Sequence, residues 1–392
     1  MKKSILFLLV FLIAGFIGLL FFGKPTKSMP PRNHATVNEK PVKSEAKPSL
    51  GGNGSFFATD FDAVDTEIEK HGYHPSTEQE REKARKSYLV ARDGANAKLT
   101  FHVTDSKGLN VTNASIRVSF NISLENRTER KGKTDENGVF VAEGKTSYDV
   151  ECTVEGEGYY KTYFVWQFTL SEGHDVKNGK WVPWNPTIEV MLKEKRNPIL
   201  MYKKWVNASI PVVDALVGFD FEKGDWVAPY GRGSKVDMYM RYAEPINVLE
   251  KTVERSLTIT FPDERDGLSF YRKDEHTDMA SIYEARDVDY LNPFKFIMKW
   301  KDGQLVDEKM LDQVDYLVFR VRTETNENGN IISAHYGKFD GPLRFGVGQE
   351  RKVSFICYFN PTQNDRNLEY GGNLFNDRDA RRARKTPLAS QR

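Results

Sequence analysis

The chain has 392 residues, of which 29% are Asp, Glu, Lys or Arg, with a formal net charge of +2. A charge this close to balance gives no global positive field, so the sequence predicts no nucleic-acid partner. Two cysteines in a chain of this length exclude a fold built on disulfides.

The chain opens with an apolar run from Ile5 to Phe22, broken only by glycines, after Lys2 and Lys3. About 18 such residues suffice for a membrane-spanning helix. The run is longer than the apolar core of a cleavable signal, and Phe21-Phe22-Gly23-Lys24-Pro25 offers no small-x-small cleavage site. Residues 1–23 are therefore expected to form an uncleaved signal-anchor, with residues 4–22 in the membrane. The localisation expected is a single-pass membrane protein with extracytoplasmic soluble domains, and secretion after signal cleavage is the alternative. Residues 24–56, rich in Pro, Lys, Ser, Asn and Gly, read as a disordered linker.

Residues 57–96 are expected to be a helical segment. Ser76-Thr77-Glu78-Gln79 has the form of a capping box, with Ser76 as the cap and Gln79 reaching back to it. A charged stretch follows to Arg92, and Asp93-Gly94 stops it. Tyr88, Leu89 and Val90 are the residues expected to touch the body of the protein.

From Lys98 the period changes to two. Leu99, Phe101 and Val103 alternate with polar residues, as do Ile116, Val118, Phe120, Ile122 and Leu124. This is the pattern of half-buried strands. Asp135-Glu136-Asn137-Gly138 is a turn, and further strands are expected at Val139–Ala142, Tyr148–Val154, Tyr160–Leu170 and Thr187–Leu192. Phe120, Val150 and Phe164 are the expected core of this domain.

Four pieces of this stretch carry a resemblance. They are Asn113-Ala-Ser-Ile-Arg-Val-Ser-Phe, Thr134-Asp-Glu-Asn-Gly-Val-Phe, Tyr148-Asp-Val-Glu-Cys and Glu157-Gly-Tyr-Tyr. In that order they resemble a carboxypeptidase regulatory-like domain over residues 97–194. The resemblance implies a transthyretin-like, seven-strand β-sandwich. It implies no activity, since in that family the module is an accessory to enzymes, receptors and surface proteins. The segment between Gly158 and Ile188 is long for the family and carries Trp166, Trp181 and Trp184.

Residues 198–375 are expected to form a second, β-rich domain of unknown family. Alternation marks strands at Val236–Arg241, Ser256–Phe261, Leu317–Arg322 and Val353–Phe359. Ile331–Tyr336 is expected to pair with the third of these across Asn326-Glu-Asn-Gly-Asn. Gly224-Asp-Trp-Val-Ala-Pro-Tyr-Gly-Arg-Gly and Asn360-Pro-Thr-Gln-Asn-Asp-Arg-Asn-Leu resemble segments of uncharacterised bacterial envelope proteins, a likeness that implies no chemistry. Residues 376–392 read as a basic, disordered tail. The fold class expected is thus all-β, behind an N-terminal transmembrane helix, a flexible linker and a short helix.

Cys152 and Cys357 fall at inward positions of different domains and are expected to be buried free thiols. No metal site is expected: His71 and His74 have no third ligand at a suitable spacing, and His276 with Asp274, Glu275 and Asp278 is equally incomplete. No cofactor or catalytic residue is expected, because neither G-x-S-x-G nor H-E-x-x-H occurs. Asp263-Glu264-Arg265-Asp266 is a charged turn whose carboxylates could serve acid–base chemistry, but acidic turns are far commoner than catalytic pairs. Gly231-Arg232-Gly233-Ser234 lacks the Lys-Ser/Thr ending and the helix of a phosphate loop. The ligand-binding candidates are Trp181 and Trp184 in one proline loop and Trp226 and Tyr230 in another. Rings beside a stiff proline suit stacking on a glycan or a protein partner. The competing expectation is that the rings are buried between the domains. The function expected is a membrane-tethered extracytoplasmic binding or structural protein of the cell envelope. The alternative is an enzyme of unfamiliar type acting on envelope glycan or polymer.

Overall fold

The structure is a computed structural model and describes residues 60–123, 125–170, 173–272, 277–309, 316–346 and 351–375. The expected signal-anchor, the linker and the basic tail lie outside the described residues. No helix among the described residues is long and apolar enough to cross a membrane. Strands dominate. By Cα proximity the chain divides into two compact units. The first comprises Met1–His102, Ser115–Thr153 and Phe164–Glu189, and the second comprises Val103–Ala114, Val154–Tyr163 and Val190–Arg392.

The first unit begins with two helices, α1 (Phe61–Lys70) and α2 (Glu78–Asp93). Asp60 caps α1 by accepting from Asp62 N and Ala63 N. The capping box of α2 sits one residue later than the sequence pattern suggested. Thr77 Oγ1 accepts from Glu80 N at 3.2 Å, and the Glu80 carboxylate accepts from Thr77 N at 3.2 Å and Ser76 N at 2.7 Å. A carboxylate serves both free N–H groups better than the neutral Gln79 amide would. Leu89 and Val90 are buried, and Leu89 packs with Val64 and Ile68 against the Tyr88 ring.

Strands β1 (Ala95–Asp105), β2 (Ser115–Asn121), β3 (Arg127–Lys133), β4 (Val139–Thr146), β5 (Asp149–Glu155), β6 (Thr162–Gln167), β7 (Asp175–Lys177), β8 (Lys180–Val182) and β9 (Thr187–Leu192) follow. They form a five-stranded sheet, β4-β1-β8-β7 with β9 also on β1, and a four-stranded sheet, β3-β2-β5-β6. The two sheets together hold nine strands, among them the short β7–β8 hairpin. Their core holds Leu99, Phe101, Val118, Phe120, Val150, Cys152, Phe168 and Trp181, all buried. The sheets approach closely at glycines: a Cβ on Gly144 would sit 2.5 Å from the Phe120 ring, and one on Gly132 would sit 2.4 Å from Phe140. Phe164, expected in the core, lies on the inward face of β6, in alternation with the exposed Tyr163 and Val165, but is only half-buried.

The second unit carries β10 (Ile199–Ser209), β11 (Val217–Asp220), β12 (Asp225–Trp226), β13 (Met238–Ala243), β14 (Ile246–Asn247), β15 (Thr252–Thr260), β16 (Gly267–Tyr271), β17 (Phe294–Lys301), β18 (Gln304–Lys309), β19 (Tyr316–Thr325), β20 (Ile331–Phe345), β21 (Lys352–Phe359) and β22 (Tyr370–Asn373). One sheet runs β16-β19-β20-β21-β10-β22, the other β12-β11-β13-β15-β17-β18 with β14 on β15. The β19–β20 pairing expected from the sequence is present, with Thr325 opposite Ile331. Between the sheets lies an aromatic core in which Phe221 stacks on Phe319 at 4.4 Å and Phe219 meets Phe355 edge-on at 5.6 Å. A second cluster, built on Tyr160, Tyr316, Val318, Tyr336 and Leu368, covers part of the six-stranded sheet's other face. Cys152 and Cys357 are both buried and free, and burial pushes the Cys152 thiol up to about 12.

Candidate functional site

The two proline loops differ in what they leave exposed. In β8 the alternation turns Lys180 and Val182 outward and Trp181 inward. Trp181 is fully buried, stacks on Phe168 at 4.9 Å and donates from Nε1 to Thr146 O at 3.0 Å. A cis Val182–Pro183 peptide follows, and Trp184 beyond it is 37% exposed, with Lys180 Nζ 4.7 Å from its ring centroid. The far end of the loop is held by Thr100, whose Oγ1 donates to Asn185 Oδ1 at 2.9 Å and whose N–H donates to Pro186 O at 3.0 Å.

In the other loop Trp226 is fully buried in the core, edge-on to Phe219 at 5.4 Å. A cis Ala228–Pro229 peptide precedes Tyr230, which is half-buried against the same core. Three carboxylates shape this loop. Asp220 accepts from Lys223 N, Ser234 N and Lys235 N at 3.0, 3.0 and 3.1 Å. Asp225 accepts from Trp226 N at 2.9 Å and from Arg232 Nε at 3.0 Å. Asp237 accepts from Phe221 N at 2.7 Å. The glycines are there for close approach: a Cβ on Gly231 would lie 2.3 Å from Trp226 O. Of the four aromatic candidates, then, Trp181 and Trp226 present no ring face to solvent, Tyr230 presents part of one, and Trp184 stands at the surface.

The buried ionisable groups are engaged with the protein itself. Arg322 adopts a positive φ of 59°, where the β19–β20 register shifts between Val321 and Glu324. Such an irregularity re-aims a side chain. Its Nε donates to Asp237 Oδ1 at 2.7 Å, Nη2 to Asp237 Oδ2 at 3.1 Å and Nη1 to Glu222 at 3.0 Å. Burial raises the Asp237 pKa, and Arg322 opposes that rise. In the acidic turn, Asp266 is buried and accepts from Thr323 Oγ1 at 2.5 Å, while Asp263 Oδ1 accepts from Arg265 N at 2.8 Å. Burial pushes Asp266 up to about 6. Each of these two carboxylates is thus committed to a local protein donor. Lys338 is buried, donates to Ser281 Oγ at 2.8 Å, and is held down at about 7 by burial. His71 lies 3.5 Å from Glu67, and no three His, Cys, Asp or Glu among the described residues are placed to hold a metal ion.

One open groove of about 540 Å³ lies on the first unit, along β3 and β4, a volume within the range of small-ligand sites. Asn96, Thr128, Arg130, Phe140, Glu143 and Lys145 are among its lining residues. Nothing in the linear pattern pointed to it: β3, Arg-Thr-Glu-Arg-Lys-Gly-Lys, has no apolar alternation.

No family model matches the chain, and no curated protein is similar to it. Among solved structures it overlaps the full-length major pilin SpaD of Corynebacterium diphtheriae at 11% identity and a TM-score of 0.20, covering 62% of this chain and 61% of the pilin. A streptococcal ancillary pilin overlaps at 8% identity and a TM-score of 0.18, covering 72% of this chain and 63% of that one. BcpA, the major pilin subunit of Bacillus cereus, overlaps at 10% identity and a TM-score of 0.19, covering 71% of this chain and 99% of that one. The chain spans about six tenths of the length of the first two proteins. Overlaps with TM-scores this low define neither a shared fold nor a shared function.

Proposed function

We propose that this protein is a binding module of the cell envelope, tethered to the membrane through residues 4–22, with its β-sheet units on the extracytoplasmic side. The observation that carries the binding reading is the contrast within one loop. Trp181 is locked into the core by stacking and a hydrogen bond, and Trp184, three residues on, is held at the surface with 37% of its area exposed. An ordered aromatic ring at the surface has lost little freedom on binding and suits stacking on a ligand. The partner class is glycan or protein.

Two experiments test the reading. The full-length protein in detergent is screened against glycan and peptide arrays, and the screen is repeated with Trp184→Ala. Capture that weakens on this substitution at unchanged thermal stability supports binding, and absence of capture across both arrays removes it. For the tether, membrane-extracted protein is expected to begin at or near Met1. An N-terminus near Lys24 in the soluble fraction replaces the anchor with a cleaved signal.

A further inference from the structure

We propose that the outer face of the five-stranded sheet of the first unit, from the groove at Arg130 and Lys145 to the ring of Trp184, binds an anionic saccharide. This rests on the binding reading above and gives it a ligand class.

Strand register builds the face. Lys145 on β4 lies opposite Asn96 on β1, Asn96 opposite Lys180 on β8, and Lys180 opposite Lys177 on β7. Ala95, Ala97 and Trp181 point into the core, so these neighbours share the outer face. Adjacent strands are ~4.8 Å apart, so the row spans about 14 Å and carries three ammonium groups with one amide among them. Asp93 feels the charge of Lys145 and Asp175 that of Lys177, but their closer partners are Arg92 and Lys86, and among the described residues no carboxylate stands within ion-pair distance of Lys145, Lys177 or Lys180. Like charges set side by side on one face are unfavourable, and an anion lying along the row relieves that cost.

At the groove end, Arg130 supplies a fork of donors. Its Nε donates to Glu143 O at 3.0 Å and Nη1 to Glu129 O at 3.3 Å. Two carbonyls fix the plane of the guanidinium without neutralising it, and the remaining N–H groups have no partner among the described residues. A fixed, uncompensated guanidinium suits bidentate capture of a carboxylate, sulfate or phosphate. Thr128 and Asn96 add neutral polar groups, and Phe140 adds an apolar wall. Glu143 is the opposing charge in the groove, and it lies 4.0 Å from Lys98. Beside the row, Lys180 on its third strand covers part of Trp184 and leaves a ring surface for the apolar face of a sugar. One ring beside a cationic row fits a charged sugar polymer better than single-stranded nucleic acid, which is bound on successive aromatic platforms.

The test uses the full-length protein in detergent, with binding to immobilised alginate, sulfated dextran, uncharged dextran and oligothymidine measured over a salt series. Alginate and sulfated dextran separate carboxylate from sulfate as the recognised anion. One or both are expected to bind, and uncharged dextran is not. The double variant Arg130→Gln, Lys145→Gln is expected to weaken binding ~10-fold or more, the scale of losing charge-assisted contacts. Lys180→Gln is a second, milder variant of the same row. Trp184→Ala is expected to weaken binding about two- to ten-fold with the salt dependence retained. Lys251→Gln with Lys301→Gln, on the second unit, is expected to change nothing. Parent-like affinity in both the Arg130, Lys145 and the Lys180 variants overturns the proposal, as does tighter binding of oligothymidine than of either charged glycan. An uncharged glycan bound through Trp184 leaves the binding reading standing and removes this one, whereas a failure to bind any glycan or peptide removes both.

Discussion

Lys338 offers the sharpest test of how the second unit is held together. Its ammonium sits on β20 in the protein interior, with Ser281 Oγ at 2.8 Å, Met279 Sδ at 3.3 Å and the Tyr358 ring centroid at 5.2 Å. Burial is the main cause of its lowered pKa, Asp340 opposes the shift, and Lys193 and Lys203 add to it, leaving the group at about 7 against an ordinary 10.5. Between those values the unfolded chain holds a proton that the folded chain has released. Stability therefore rises with pH across that window, at ~1.4 kcal/mol per pH unit, and this contribution is lost as pH falls toward 7. From pH 10 to pH 7 the loss from this one group is at most ~4 kcal/mol. Lys338→Met keeps an unbranched chain and removes the titration. Denaturant midpoints of parent and variant at pH 7, 8, 9 and 10, converted with a common m-value, isolate the effect from other groups that ionise there. The stability of the variant relative to the parent is expected to be highest at pH 7 and to shrink steadily toward pH 10. A difference that stays constant over the four pH values refutes the reasoning and means that the amine is solvated or paired in the native protein.

Three further outcomes follow from the same physics. Arg322→Met strands the buried Asp237 carboxylate and is expected to cost ~3–5 kcal/mol by denaturant unfolding, with much of it restored by adding Asp237→Asn; a loss below ~1 kcal/mol counts against the pair's role. Asp266, at about 6 when folded and near 3.8 when unfolded, takes up a proton in the native state first as pH falls, so its contribution to stability declines as pH rises from 4 to 6. Asp266→Asn is expected to flatten that part of the pH–stability curve, an effect of up to ~3 kcal/mol. Trp181→Ala and Trp226→Ala are each expected to cost ~3–5 kcal/mol, while Trp184→Ala falls within about 0.5 kcal/mol of the parent; thermal melts of the three variants check the ordering.

Much of the β architecture was legible because half-buried strands write their facing into the sequence. In β1 and β2 the alternation gave the strand and its inward residues together: Leu99, Phe101 and Val103 in one, Ile116, Val118 and Phe120 in the other, are all buried. A strand that lacks a buried face, or has apolar residues on both, carries no such record. β3 is an edge strand whose Arg127, Arg130, Lys131 and Lys133 are exposed, so it has no period to read. β6, Thr-Tyr-Phe-Val-Trp-Gln, is aromatic or β-branched almost throughout, so its pattern does not show how deeply each ring sits: Phe164 lies on the inward face with Thr162 and Trp166, yet is only half-buried. The β7–β8 hairpin had a signal: Asn178 and Gly179 both adopt positive φ, at 49° and 73°, the two-residue turn that an Asn-Gly pair favours. Its arms, three residues each, were too short to show a period.

The surface of the first unit was hidden for a different reason. Composition located the aromatic loops, but whether a given ring is core or surface depends on its strand position. Trp181 follows the outward Lys180 by one residue and must point inward, whereas Trp184 lies past the end of β8, where the alternation no longer applies. The cationic row is further still from the linear sequence, since Lys145, Asn96 and Lys180 become neighbours only through the register of three strands. Local patterns fix each strand's facing, and a slip of one residue in either pairing would turn one of the three away from the others. The inward positions of Ala95, Ala97 and Trp181 prevent that slip, because each would exchange places with a charged or polar neighbour. The packing that buries Trp181 is therefore also what aligns Lys180 with Asn96, so the core and the proposed binding face are two consequences of one register.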